Sequence, residues 1–436
     1  MRSIRYILTI ILIALILQAA GSTIDSTDSH GSIIEHNMPT AAVCSGVYNV
    51  ATSALMYNYA TSLTEIAAGW TLRTEDAPFA TELGDKQQWG FFEAESYIKL
   101  KPETAVASGV SYRRGTTSNV LWNSTADYRL LYPYIMADSV GGNLDNETYE
   151  FYGKYATQIR RFAIGVGGEY RAQHDFRTID PRPRNIVSDF SINIAGGATI
   201  GQYSLNIDCK LQIYKQFQDV DFYNTNGANT SELHMTGLGN KFSRFDGAGT
   251  YTSTRYKGNG RHIGCALVPA GGNGILATLS YSKLTTSRSL SGNNYVPISE
   301  LVTENANAAL GYKLYGSPVR MAVVANFDFE QRQGTENVID NGLSSEYRVL
   351  TSLNLYTLKD ASGTLKAAVE WHKTAHSIWA AIKIGGNALR EEYRNILRKQ
   401  QTKNVTAGID AGCNMSVGAW LMQFETGTEL KHTCDS

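Results

Sequence analysis

Strict period-two alternation, sustained over unusually long runs, restricts this chain to long strands with one apolar and one polar face. Over residues 203–213, Tyr203, Leu205, Ile207, Cys209, Leu211 and Ile213 alternate with Ser204, Asn206, Asp208, Lys210 and Gln212. Successive side chains of a strand point to opposite sides, so the first set forms one face and the second set the other. Phe162, Ile164, Val166, Gly168 and Tyr170 repeat the pattern. So do Val319, Met321, Val323, Ala325, Phe327 and Phe329, set against Arg320, Asn326, Asp328 and Glu330. Soluble strands average about five or six residues, whereas a tilted strand crossing a bilayer needs roughly nine to eleven.

The connections alternate as well. Short ones are expected at 101–103, 158–161, 197–201, 269–274, 315–318 and 359–363, and long ones at 73–88, 114–147, 172–185, 216–258, 289–298 and 333–345. One rim of tight turns and another of long loops is the arrangement of outer-membrane barrels. The predicted fold class is therefore all-β, a transmembrane antiparallel up-and-down β-barrel of about 16 strands, with 14 as the alternative, over residues 63–436. Trp89, Phe91, Phe92, Tyr97, Tyr149, Phe151, Tyr152, Tyr155, Tyr281, Tyr312 and Tyr315 fall near expected strand ends, where aromatic girdles sit. Residues 387–401 read as a strand end and loop. The chain ends on Thr433, Cys434, Asp435 and Ser436 instead of an aromatic residue, so the last strand is expected to finish near Phe424 or the terminus to be truncated.

Arg2 and Arg5, the apolar run 6–17, and Ala19, Ala20 and Gly21 have the layout of a cleaved signal peptide over 1–21. The apolar run is too short for a membrane-spanning helix. Residues 22–62 carry no clear strand and are expected at the periplasmic side or in the lumen. The expected location is the outer membrane of a Gram-negative bacterium. A net charge of −1 gives no reason to expect nucleic acid as a partner. The five cysteines lack any paired spacing of the zinc or redox kind.

Four segments carry a resemblance to a known family. They are 121–128 with Trp122, Asn123, Ser124, Thr125 and Asp127, 131–139 with Tyr132, Pro133, Tyr134 and Asp138, 179–185 with Asp180, Pro181, Arg182, Pro183 and Arg184, and 236–239 with Gly237 and Gly239. Together they resemble an uncharacterised family of outer-membrane β-barrel proteins, a domain of unknown function. The resemblance covers most of the chain after the signal and implies a barrel, with no catalytic or binding residue to carry over.

No nucleophile–base–orienter set is recognisable, so no catalytic residue, metal site or cofactor is expected. The strongest ligand-binding candidate is a cluster at the barrel mouth, formed by Arg171, His174, Arg177, Asp180, Arg182 and Arg184. Guanidinium groups there suit a carboxylate or phosphate. The competing reading is structural, with these arginines pairing to Asp138, Asp175 and Asp180. Asp208, Lys210, Arg320, Asp328 and Glu330 are expected to line the lumen. The expected function is a pore or binding barrel for a small solute. Its rivals are an accessory barrel in a larger uptake or secretion complex and a secreted soluble glycan-binding protein. Expected partners are outer-membrane lipid and the barrel-assembly machinery.

Overall fold

The structure is a computed structural model, and it describes residues 26–78, 80–223, 232–243, 252–290, 295–340, 348–373, 376–417 and 420–434. The predicted signal peptide lies outside the described residues. Two helices, α1 (Ser26–Asn37) and α2 (Pro39–Tyr48), and a 3-10 turn, η1 (Thr52–Tyr57), precede the first strand. The strands β1 (Leu63–Thr74), β2 (Lys86–Lys101) and β3 (Thr104–Val120) follow. A short helix α3 (Tyr128–Leu131) and strand β4 (Met136–Asp138) then lead into β5 (Gly142–Ile159), β6 (Phe162–Phe176), β7 (Arg182–Ile200) and β8 (Tyr203–Asp221). Next come the short β9 (Glu232–Gly237) and β10 (Asn240–Lys241), then β11 (Ser253–Pro269), β12 (Gly274–Leu290), β13 (Val296–Tyr315) and β14 (Val319–Ile339). The last four are β15 (Val349–Lys373), β16 (His376–Tyr393), β17 (Arg398–Val417) and β18 (Trp420–Cys434).

Fifteen of these strands form one antiparallel sheet in which each pairs with the next long strand in sequence. The alternation read from the sequence sets the faces. Leu205, Ile207, Leu211 and Ile213 are exposed on the outside, while Asn206 and Asp208 are buried within. Phe162, Ile164 and Val166, and Val319, Met321, Val323 and Phe327, are likewise on the outer face. Asp208, Lys210, Arg320, Asp328 and Glu330 all fall on the inner rows.

The sheet has 15 strands among the described residues against the expected count of about 16, and one residue stretch explains the difference. Residues 359–363 include Asp360, Ser362 and Gly363, which read as turn formers. They lie instead in the middle of β15, with Gly363 opposite Phe327 on one side and Gly386 on the other. Both neighbours supply ladder partners, so nothing there calls for a reversal. The last strand also continues past Phe424 to Cys434. The expected girdle is corrected too, because Phe92, Tyr149, Phe151, Tyr155, Tyr281 and Tyr312 are exposed outside whereas Tyr97 is buried and donates to the Leu55 carbonyl.

The sheet curls around its own N-terminal segment. Helix α2 packs against β11 through β16, and η1 packs against β3, β5, β6, β7, β8 and β11. Strands β1 and β18 both run from the tight-turn rim to the long-loop rim. No ladder joins them among the described residues, yet Arg73 and Gln87 on one side and Asn404 and Lys431 on the other line one cavity of about 220 Å³.

Candidate functional site

The inner face bounds a polar chamber, partly open to solvent, with different parts of the chain lying across its two ends. The floor is the N-terminal segment, held by side chains of the wall. Glu370 accepts a bond from the backbone N–H of Thr40 at the start of α2 (2.8 Å), a favourable place for a carboxylate. Asp208 accepts from the Thr52 backbone N–H (3.1 Å) and from Asn193 (2.6 Å), and Asn206 accepts from the Ser53 hydroxyl (2.9 Å). Lys99 donates to the carbonyls of Met56 and Tyr59. Gly165 is needed beneath η1, since a Cβ there would lie 2.6 Å from the Ser53 backbone nitrogen.

The ceiling is a lid made from two of the long loops. Strands β10, β9 and β4 form a three-stranded sheet, with α3 leading into it. Its bonds reach widely separated strands. Asp127 binds Arg171 of β6, Thr125 donates to Gln218 of β8 (2.9 Å), and Tyr132 donates to Glu391 of β16 (2.6 Å). Arg332 of β14 donates to the carbonyls of Arg129 and Tyr132, and Arg398 of β17 to that of Leu238. Arg288 of β12 is fully buried and donates to Nδ1 of His234 (2.8 Å), so that ring nitrogen carries no proton. Burial in the lid pushes the hydroxyls of Tyr128, Tyr132 and Tyr134 well above the usual tyrosine range, keeping all three protonated.

Between floor and ceiling lie two adjoining cavities of about 640 Å³ and 480 Å³. They share Lys154, Glu169, Lys210 and Gln212 in their walls. Glu169 receives Lys210 at 2.6 Å and Lys154 at 3.6 Å. Glu95, Glu150 and Asp189 face the larger cavity, and Arg332 the smaller one. The chamber is therefore charged on all sides, with acids concentrated toward β2 and β5. No cluster of metal-ligating side chains occurs among the described residues.

The six residues expected at the mouth do not converge. They lie on two adjacent strands and the short connection between them, so their directions alternate. Arg171 points inward to Asp127, with Asp189 at 3.6 Å. Arg177 is buried and pairs with Asp138 (3.0 Å). His174 and Arg184 fall on the outer rows, the ring of His174 stacked on Phe176. Asp180 accepts from Arg182 (2.8 Å), whose guanidinium lies 4.2 Å from the Tyr223 ring. Of the predicted inner residues, Asp208 holds the floor, Lys210 and Glu330 face the chamber, Arg320 contacts Met38 of the floor, and Asp328 accepts from Asn307. His372 and His376 sit on either side of the β15–β16 turn, on rows that face opposite sides of the sheet. The sequence reading missed Asp127, Thr52, Asn193 and Glu370. Asp127 had a visible signal, since it belongs to one of the four family-like segments, three of which build the lid while 179–185 packs beside it.

Residues 52–436 match the profile of a family described as a family of unknown function (DUF6850). No curated protein matches the chain. Among solved structures, it is similar to the alcaligin outer membrane receptor FauA of Bordetella pertussis, with 7% identity over 86% of this chain and 70% of that one, at a TM-score of 0.35. It is also similar to the outer membrane transporter YddB of Escherichia coli (8% identity, 80% and 55% covered, TM-score 0.37). A third likeness is to the siderophore receptor PiuA of Acinetobacter baumannii (7% identity, 85% and 78% covered, TM-score 0.37). The chain spans just over half the length of the second of these.

Proposed function

Because this chain belongs to that family of unknown function, membership brings no activity with it, and we propose from its own geometry that it is an outer-membrane β-barrel that binds a small polar solute in a partly enclosed chamber. The observation that carries the reading is the charged chamber set between the N-terminal floor and the loop lid. A passive open pore has no use for two closures. A binding barrel gains from both, because they limit the solvent around the charged walls and so strengthen each contact there.

The membrane part of the reading is supported by the outer face. Exposed Leu211, Ile194, Ile263, Leu279, Leu310 and Phe327 form an apolar surface far larger than soluble monomers present. All strands of the sheet are 12 residues or longer, with tight turns at one rim and the long loops and lid at the other. In this reading the N-terminal segment enters from the periplasm and the lid faces outward. The assembly machinery and the surrounding lipid are the partners it requires.

The test is heat-modifiable gel mobility in purified outer membranes, followed by conductance in planar bilayers. Faster migration of the unboiled band, with low conductance that rises when residues 26–57 are deleted, is the expected result. Recovery in the aqueous fraction without a mobility shift overturns the membrane reading in favour of a secreted binding protein. High conductance of the intact chain overturns the partly enclosed chamber in favour of an open pore.

A further inference from the structure

The outer face carries a feature that neither solute binding nor barrel assembly uses. Lys215 of β8 and Lys257 of β11 are direct cross-strand partners. Both belong to the outer rows, and both are exposed. Like charges placed directly opposite one another destabilise a sheet unless something neutralises them. Arg261, four residues along β11 on the same face, is a third exposed cation. None of the three has an ion-pair partner among the described residues. Two outward acids lie one strand beyond the patch on β13: Glu304 is taken by Lys283 (3.1 Å) and by the Tyr281 hydroxyl (2.9 Å), and Glu300 stands across Ser287 from Lys257.

The setting of these cations specifies their ligand. Asn259 lies between Lys257 and Arg261 on the same face, and Thr285 and Ser287 are the partners of Asn259 and Lys257 on β12. The patch thus offers ammonium, guanidinium, amide and hydroxyl donors with no carboxylate among them, which matches the several acceptor oxygens of a phosphate. Toward the tight-turn rim the same outer rows become apolar, with Ile263, Leu279, Ile207 and Leu205 all exposed. A ligand that fits both parts has acyl chains below and an anionic head above.

We propose that Lys215, Lys257 and Arg261 form a docking site for the phosphate-bearing headgroup of a lipid in the outer leaflet. The proposal rests on the outer-membrane reading, because the long-loop rim must face the cell exterior. Basic residues at a membrane surface each contribute about fivefold to the affinity for anionic lipid.

The experiment uses the full chain in phosphatidylcholine vesicles containing either bis-phosphorylated lipid A or the same lipid stripped of its phosphates. Lipid retained on the extracted protein is counted by native mass spectrometry. The wild type is expected to retain the phosphorylated form selectively. Lys215→Gln/Lys257→Gln/Arg261→Gln is expected to lower its affinity about a hundredfold. Lys359→Gln, an outward cation on the distant β15, is expected to leave it unchanged. Equal retention of both lipids, an unaffected triple variant, an equal loss in Lys359→Gln, or a second copy of the chain in place of lipid overturns the site. Gel mobility of the same samples separates the two levels: a chain that does not insert overturns the membrane reading and the site together, whereas insertion without phosphate preference overturns the site alone.

Discussion

Arg171 on the wall grips Asp127 in the lid with two parallel bonds, Nη1 to Oδ1 at 3.0 Å and Nη2 to Oδ2 at 2.7 Å. The Tyr214 hydroxyl donates to the same carboxylate (2.9 Å). An arginine that the sequence offered as a ligand contact thus latches the ceiling of the chamber.

Breaking that latch is expected to loosen the lid. Both side chains are largely buried, and a charge-assisted bond of this kind contributes roughly 1.5–3 kcal/mol. Arg171→Gln or Asp127→Asn should speed amide exchange in residues 121–139 and raise conductance. The double variant should lose little more than either single change. Additive losses in the double-mutant cycle would show that the two residues act separately.

The floor should respond to Asp208→Ala. This change leaves the Thr52 N–H without its acceptor and the Asn193 amide with only the Thr52 hydroxyl, and a buried unpaired donor costs about 1–3 kcal/mol. The expected result is cleavage of residues 26–61 by added protease in the folded protein, with the sheet intact. Gly165→Ala should act in the same direction, by steric displacement of η1.

The face assignment can be tested along one strand. Ile207→Arg, two rows closer to the tight-turn rim than Arg261, puts a charge on the lipid face at a cost of about 2–4 kcal/mol near mid-depth, so folded protein should fall sharply in a gel-mobility assay. Gln212→Arg, on the chamber side, should be tolerated. Asn206 is a poor inward control, because its side chain lies fully buried beneath Ser53. Equal effects at Ile207 and Gln212 would contradict the assignment.

Acid should weaken the docking of α1. The His36 ring stacks on Tyr59 at 3.8 Å and bonds the Thr61 carbonyl at 2.9 Å. Burial lowers its pKa below the usual 6.5, although Glu35 on its own helix and Glu65 on β1 act in the opposite sense. A base depressed in the folded state binds fewer protons than it does when released. Its contribution is therefore full above pH 6.5 and is lost as pH falls through the folded value. Amide exchange in α1 should accelerate between pH 7 and 5, and His36→Gln should flatten that dependence.

Faces and most turns were legible because both are local. An alternating run such as 203–213 names its own inward and outward rows, and a Pro- or Gly-bearing break such as 269–274 announces a reversal. The spurious turn at 359–363 shows the limit of that logic, since composition cannot reveal that both neighbouring strands supply partners. The floor and lid were illegible for another reason. Their defining contacts join residues hundreds of positions apart, as with Thr40 and Glu370 or Tyr132 and Glu391. Short apolar stretches such as 39–48 have no periodicity of their own to reveal a helix that is buried only by a surrounding wall. The mouth residues point apart for a third reason, because adjacency in sequence across a strand pair is not adjacency in space. The structural reading of Arg177 with Asp138 and Arg182 with Asp180 is the one their geometry matches.

An odd strand number has a mechanical meaning. With fifteen strands in sequential order, the first and last point the same way, so any pairing of those two edges would have to be a slanted parallel ladder. Parallel pairing is slightly less stable per residue than the antiparallel pairing at the other fourteen junctions. The seam between Arg73 and Lys431, which no ladder bridges among the described residues, is thus the line of least resistance from rim to rim, and under heat or tension the sheet should open there first.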